Sequence, residues 1–348
     1  METKVLKPTP EAIREAAAAL RSGELVGIPT ETVYGLGAHA LDEAAVRKIF
    51  AAKGRPADNP LIVHVASLED AEPLCHISDT ARALAARFCP GPLTIIIPRK
   101  LVVPDVVTAN LETVAVRIPA HPVALALLRE SGLPVAAPSA NTSGKPSPTT
   151  AQHVYHDMNG KLPIILDGGE SQVGLESTVI TLAGDIPTVL RPGGITPEML
   201  LEVLPEVRVA DSVLRPLLAG EKALSPGMMY QHYAPGGLLT MVKGEAENVQ
   251  RVCKDLYRAA LTDGKTACIL AFDEHLSAYE GMDVLSIGCL ADPETVSHKL
   301  FAVLRQLDEA GTDLMFSEVL PAEGLGLAIM NRLSRAAGFR TIDADQED

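Results

Sequence analysis

Tryptophan is absent from this 348-residue chain, and six Tyr with six Phe bring aromatic residues to only 3%. A core of stacked rings is thereby excluded, so the 47% of hydrophobic residues must close-pack largely as Ala, Val, Leu and Ile. Cysteine is scarce too. Cys75, Cys89, Cys253, Cys268 and Cys289 stand singly, with no Cys-x-x-Cys pair, which excludes a disulfide scaffold and reads as the reduced thiols of a cytosolic protein. No apolar run approaches the ~20 residues of a membrane span, and the first residues carry an Ala-rich amphipathic pattern rather than a signal-peptide core. A cytoplasmic protein without membrane association is the expectation. Basic residues are outnumbered, 30 Lys and Arg against 44 Asp and Glu, for a net charge of −14. That balance argues against a broad basic face for nucleic acid but leaves room for a small cationic pocket. Residues 237–348 hold 19 acidic and 10 basic side chains, so most of the negative charge lies in the last third.

A single core stops growing beyond about 250–300 residues, which predicts two domains. In the first, Ile13, Ala16, Ala17 and Leu20 fall on one face of a helix that Gly23 stops, and a second helix runs from an N-cap at Asp42 to Gly54. The runs ELVGI, LIVHV (61–65), LTIIIP (93–98) and VAVRIP (114–119) read as buried strands, with helices over 78–88 and 121–131. Further strands are predicted over 134–137, 163–167, 177–182 and 188–191, then a helix over 197–204. Residues 211–237 lose all periodicity, and a connection of that length is usually functional or a linker. Beyond it, strands and helices alternate as in a small open α/β sheet. The predicted organisation is therefore 1–210, a linker over 211–237, and a second α/β domain over 238–348. Spacing alone does not give the strand order.

Several segments carry chemistry. Pro29-Thr30-Glu31-Thr32-Val33-Tyr34-Gly35-Leu36-Gly37 packs hydroxyls, a carboxylate and two glycines behind the first strand. It reads as a structural turn, as a polar substrate pocket, or, through Gly35-Leu36-Gly37-Ala38-His39-Ala40 and Asp58, as a weak dinucleotide fingerprint. Lys53-Gly54-Arg55-Pro56 forms a cationic corner at a helix end. It suits a phosphate as well as it suits the helix dipole. Pro138-Ser139-Ala140-Asn141-Thr142-Ser143-Gly144 is dense in hydroxyl and amide groups, without the spacing of a Walker loop. Arg117, alone in an apolar strand, demands an anionic partner, either an internal carboxylate or a ligand. His64 in LIVHV is either a satisfied core residue or part of a site. His153 and His156, one helical turn apart, lack a third metal ligand nearby and read as a solvated face.

PTETVYGLG, KGRP…NPL, PGPLT, VAVRIP, PSAN.SG, ESTV and LRPGG follow one another in this order, and together they resemble the YrdC-type threonylcarbamoyl-AMP synthase family. SPGMMYQHYAP and the α/β unit after it are similar to the long two-domain form. The resemblance implies a twisted mixed sheet with flanking helices, followed by a smaller Rossmann-like domain. It implies an enzyme that condenses L-threonine, bicarbonate and ATP to threonylcarbamoyl-AMP and pyrophosphate. The product would pass to a tRNA threonylcarbamoyl transferase complex, for modification of the adenosine next to the anticodon. By the same resemblance, Lys53, Arg55, Ser139 and Asn141 face the ATP phosphates, with Lys53 and Arg55 as the catalytic cations. Asn59, Thr113, Ser147, Arg191 and Tyr230 complete the nucleotide site, and Thr32, His64, Arg117, the backbone at Ala137, and Ser177 surround threonine. Mg²⁺ is expected with ATP, its ligands unidentified. One departure stands in the linker: Met229 and Gln231 occupy positions where the family has basic residues, whereas Tyr230, His232 and Tyr233 match. Two other classes fit less well. A carbamoyl-transfer enzyme of related fold needs further modules that the isolated cysteines do not supply, and an RNA-binding module sits poorly with the acidic balance.

Overall fold

The computed structural model describes residues 1–57, 59–213, 215 and 233–346. These divide into two compact units, the first holding Met1–Ser143 and Ser147–Val213. The second holds the short segment Gly144–Pro146 and the described residues from Tyr233 onward. Tyr230, Met229, Gln231, His232 and Asp58 lie outside the described residues.

The first unit is built on one mixed sheet. Its strands are β1 (Lys4–Leu6), β2 (Val26–Ile28), β3 (Gly35–His39), β4 (Ile62–His64), β5 (Leu93–Pro98), β6 (Thr113–Arg117), β7 (Val135–Ala136), β8 (Ile164–Leu166), β9 (Thr178–Thr181), β10 (Thr188–Arg191) and β11 (Arg208–Val209). Their spatial order is β1-β8-β2-β3-β7-β4-β6-β5-β9-β10-β11. Parallel pairs such as β4 with β6 are mixed with antiparallel pairs such as β5 with β6. β4 and β5 are buried almost throughout, as expected for strands covered on both faces.

The helices form where local signals place them. Helix α1 (Pro10–Arg21) starts at Thr9, whose hydroxyl accepts from the Ala12 amide, with Pro10 fixed in the first turn. Its buried stripe is Ala12, Ala16, Ala17 and Leu20. Helix α2 (Glu43–Lys53) is capped by the Asp42 carboxylate and ends at Gly54 in the left-handed conformation, φ 63°. The segment predicted as a helix over 197–204 keeps a single α-turn, Pro197–Leu200. The largest core cluster is aliphatic, with Tyr34, Phe50 and Phe88 as its ring-bearing members.

Gly35–His39 departs from the sequence reading. It is a strand antiparallel to β2, not a turn opening a helix, and that rules out the dinucleotide fingerprint. The glycine serves packing: a Cβ at Gly37 would stand 2.4 Å from Ile28 Cδ1 and 3.0 Å from Val135 Cγ1.

The second unit carries five parallel strands, β12 (Leu238–Lys243), β13 (Ala267–Ala271), β14 (Val284–Ser286), β15 (Leu314–Glu318) and β16 (Thr341–Asp343), in the order β14-β13-β15-β12-β16. This is the open α/β arrangement expected of it. The Glu318 carboxylate ties the strand ends together, accepting from Tyr279 Oη at 2.7 Å and the Phe272 amide at 3.1 Å. All five cysteines are free. Burial pushes the thiols of Cys75 and Cys268 up to about 11 and that of Cys253 to about 12, so they stay protonated. No helix among the described residues is long and apolar enough to cross a membrane.

Candidate active site

The last turn of α2 delivers Lys53 into the loop that follows β7. Lys53 Nζ, buried, donates to the carbonyls of Ser139 and, at 2.6 Å, Asn141. Its own carbonyl accepts from the Ser143 amide at 3.0 Å. Ser139 Oγ donates to Asn141 Oδ1 at 2.5 Å, while the Leu36 amide and the Ala140 amide pin the loop to β3 and to Tyr34. The helix end and the hydroxyl-rich loop are thus one structure, and the lysine's charge sits at its centre. Arg55, half-buried, lies over the Phe50 ring at 5.9 Å and donates to the Asn59 carbonyl at 3.1 Å. Asn59 is fully buried, and neither atom of its side-chain amide has a partner. Two unmet polar atoms inside a protein are costly, about 1–3 kcal/mol each, and such groups point to a ligand. Lys53, Ser139 and Asn141 therefore share one hydrogen-bonded cradle, and Arg55 and Asn59 form a second pair just past the same helix end.

A second set crosses the sheet at one level. His64 on β4 is opposite Arg117 on β6, Arg117 is opposite Thr94 on β5, Thr94 is opposite Val179 on β9, and Val179 is opposite Arg191 on β10. Residues in register share a face of the sheet, so these side chains form a row about 19 Å long at ~4.8 Å per strand. Hydrogen bonds continue it: Thr94 Oγ1 meets Ser177 Oγ at 2.7 Å, and Arg191 donates to the Ser177 hydroxyl at 3.1 Å and to its carbonyl at 3.0 Å. Gly193 permits this crossing, since a Cβ there would lie 2.4 Å from the Thr178 nitrogen and 2.6 Å from the Glu176 carbonyl oxygen. Ser147 Oγ donates to Glu176 at 2.5 Å beside it.

The loop between β2 and β3 covers the Arg117 end. Arg117 donates to Glu31 Oε1 at 2.7 Å and to Thr32 Oγ1 at 2.9 Å, and all three residues are buried. Arg117 thus has the internal carboxylate that the sequence left open, and this does not exclude a ligand. Burial raises the Glu31 carboxyl, but the Arg117 charge, its hydrogen bond and nearby backbone N–H groups outweigh this and hold it below its ordinary value. His64 is driven the other way from charge. Burial, reinforced by Arg117, lowers its imidazole to about 3, so the ring is neutral at neutral pH. The Ala137 N–H is committed to the Ile62 carbonyl at 2.9 Å, leaving the Ala137 carbonyl as the group that can meet a ligand.

Thr113 is placed differently. It opens β6, four residues from Arg117, hence about 13 Å away along the strand, a separation that a nucleotide can bridge and a threonine cannot. Sequence reasoning did not assign Glu31 or Thr94 a role. The signal for Thr94 was the one that marked Arg117, a polar side chain inside an apolar strand.

These motifs and this fold recur in known proteins. A family model described as telomere recombination matches residues 18–193, and one described as threonylcarbamoyl-AMP synthase, C-terminal domain, matches residues 195–338. The chain is 48% identical to a threonylcarbamoyl-AMP synthase of Pyrococcus abyssi over 331 residues, covering 95% of each. It is 48% identical to that of Bacillus subtilis over 345 residues, covering 98% of this chain and 97% of the relative. The crystal structure of P. abyssi Sua5 complexed with L-threonine superposes with a TM-score of 0.90 at 47% identity over 95% of both chains. Matched along both units, the chain belongs to the threonylcarbamoyl-AMP synthase family in its two-domain form.

Proposed function

We propose that the chain condenses L-threonine, bicarbonate or CO₂, and ATP to threonylcarbamoyl-AMP with release of pyrophosphate, an adenylyl transfer. The observation that carries this reading is the buried polar row from His64 through Arg117 and Thr94 to Arg191, lying in the same sheet unit as the Lys53 cradle. A neutral metabolite needs neither two buried arginines nor a buried lysine. An amino acid and a nucleotide need them all.

In this reading Arg117 holds the threonine carboxylate, the hydroxyls of Thr32 and Ser177 read the side-chain hydroxyl, and His64 and the Ala137 carbonyl close the pocket. Being neutral, His64 adds no competing positive charge beside Arg117. Arg55, Ser139 and Asn141 meet the phosphates, and Asn59, Thr113, Ser147 and Arg191 take the rest of the nucleotide. Tyr230 completes the set in the family pattern. The threonine amine adds to the carboxyl carbon of bicarbonate, expelling water and giving a carbamate. One carbamate oxygen then attacks the α-phosphorus, and the bond to the β-phosphate oxygen breaks as pyrophosphate departs. The protein's work is positioning and charge neutralisation. Arg55 faces the leaving group directly. Lys53, whose ammonium is held by the Ser139 and Asn141 carbonyls, acts by fixing that loop and lending its charge through space.

Mg²⁺ accompanies ATP in such reactions. Among the described residues no three His, Cys, Asp or Glu side chains converge on a metal position, so the donor set does not form a protein cage, and an ion would rest on phosphates and water. The product is a carbamic–phosphoric anhydride that water destroys, and its consumer is a tRNA threonylcarbamoyl transferase acting on the adenosine next to the anticodon. The test is product identification. With carbon-labelled bicarbonate, threonine and ATP, mass spectrometry should find the label in an adenylate. Label-free AMP as the sole nucleotide product would reject the assignment.

A further inference from the structure

The ion pair beneath the threonine pocket is only half used. Glu31 Oε1 is taken by Arg117, but Glu31 Oε2, buried on the same carboxylate, lacks a hydrogen bond of ordinary geometry, with the Glu31 and Ala120 N–H groups close to the carboxylate. Arg117 is likewise unsaturated. Of five guanidinium N–H donors, one goes to Glu31, one to Thr32 and one, at 3.4 Å, to the Gly91 carbonyl. A cation with free donors therefore sits beside an anion with a free acceptor, out of water. Of the other titratable side chains near the pair, His64, Cys89 and His121, burial drives His64 and His121 toward the neutral ring and Cys89 toward the neutral thiol.

A free amino acid is the ligand with the matching pattern. Its carboxylate and α-ammonium share one carbon, so a carboxylate bound at Arg117 brings the ammonium to the adjacent Glu31. We propose that Glu31 Oε2 accepts from the α-amino group of threonine, making Glu31 the residue that selects an α-amino acid over an α-hydroxy acid. This rests on the reading that Arg117 takes the threonine carboxylate. Glu31 is held below the ordinary carboxylate range, so it binds the ammonium without keeping a proton. Of the two protons the ammonium nitrogen gives up as the carbamate forms, one leaves with the hydroxyl of bicarbonate as water and the other passes to bulk solvent. Oε1 meanwhile keeps Arg117 aimed, and one carboxylate organises both ends of the substrate.

Calorimetric titration of the full chain with L-threonine and with 2,3-dihydroxybutanoate of matching stereochemistry, which carries a hydroxyl in place of the amine, separates these roles. In Glu31→Gln the amide oxygen still accepts from Arg117 while an N–H₂ faces the ammonium. Threonine affinity should fall about 10- to 100-fold, the size of a lost charged hydrogen bond, and affinity for the deamino analogue should change by less than about 3-fold, the ordinary scatter of a neutral contact. The preference for the amine then collapses. Equal weakening of both ligands, or unchanged threonine binding, overturns the proposal. A non-hydrolysable ATP analogue reports whether the variant is folded. If it is not, Glu31→Asp decides: a retained preference for threonine over the analogue supports the role, and an equal loss of both overturns it. Arg117→Lys tests the underlying reading separately, because a carboxylate site there requires both ligands to weaken together.

Discussion

Removing the Arg117 guanidinium should damage the fold as well as the site, and the two effects can be told apart. In Arg117→Met the Glu31 carboxylate loses the charge and hydrogen bond of Arg117 while remaining buried, with side-chain exposures of 5% and 7% for Arg117 and Glu31 in the intact pair. Breaking a buried pair from one side costs about 3–5 kcal/mol, because an uncompensated charge is left behind. For a unit of this size that corresponds to roughly 6–20 °C in melting temperature. Substituting both partners, Arg117→Met with Glu31→Gln, removes the stranded charge and should recover most of the loss, since a buried pair is worth little net against neutral replacements. Threonine binding should not return in the double variant, because the carboxylate's partner is gone. Urea denaturation gives the stability, and calorimetry with threonine gives the binding. If Arg117→Met alone costs under about 1 kcal/mol, the pair is hydrated like a surface ion pair and the argument from burial is wrong.

Three further outcomes follow from the same geometry. Asn59→Leu replaces an amide whose two polar atoms lack partners, so it should raise the melting temperature while lowering affinity for an ATP analogue by about 10-fold or more. A stability loss would contradict the unmet state of that amide. Gly37→Ala places a methyl 2.4 Å from Ile28 Cδ1 and should destabilise by about 1–3 kcal/mol through overpacking, read by thermal melting. His64, lowered to about 3 in the folded chain, takes up its proton near 6.5 when unfolded. Between those values the unfolded state binds more protons, so the contribution of neutral His64 is complete above 6.5 and lost as pH falls toward 3. Denaturation of His64→Leu across that window should give a flatter stability profile than the parent.

What the sequence made legible was local. Asp42 and Gly54 bracket α2 because a cap and a left-handed exit are chosen by neighbouring residues, and the observed helix, Glu43–Lys53, fits between them. LIVHV, LTIIIP and VAVRIP were readable as strands because a doubly covered strand needs no alternation. Their order was not readable, since β8 pairs with β1 and β2 across 160 and 138 residues of chain. Gly35–His39 was missed as a strand because glycine usually weakens strands. Here β3 threads between Ile28 and Val135, which leave no room for a Cβ at Gly37. The short strands β1, β11 and β16 are partly exposed and carry too little apolar pattern to be seen, unlike the equally short but fully buried β4 and β8. The cationic corner and the hydroxyl loop were each ambiguous alone. The Lys53 hydrogen bonds that make them one site span 86 and 88 residues. Glu31 was in view from the start, but its link to Arg117, 86 residues away, exists only in the folded chain.

The central claim is that one buried site joins an amino acid, a one-carbon acid and ATP. Pyrophosphate release from ATP, measured with threonine and then bicarbonate withheld, tests it most directly. The account predicts release only when both are present and its near-complete loss when either is missing. Release that continues without threonine would contradict it.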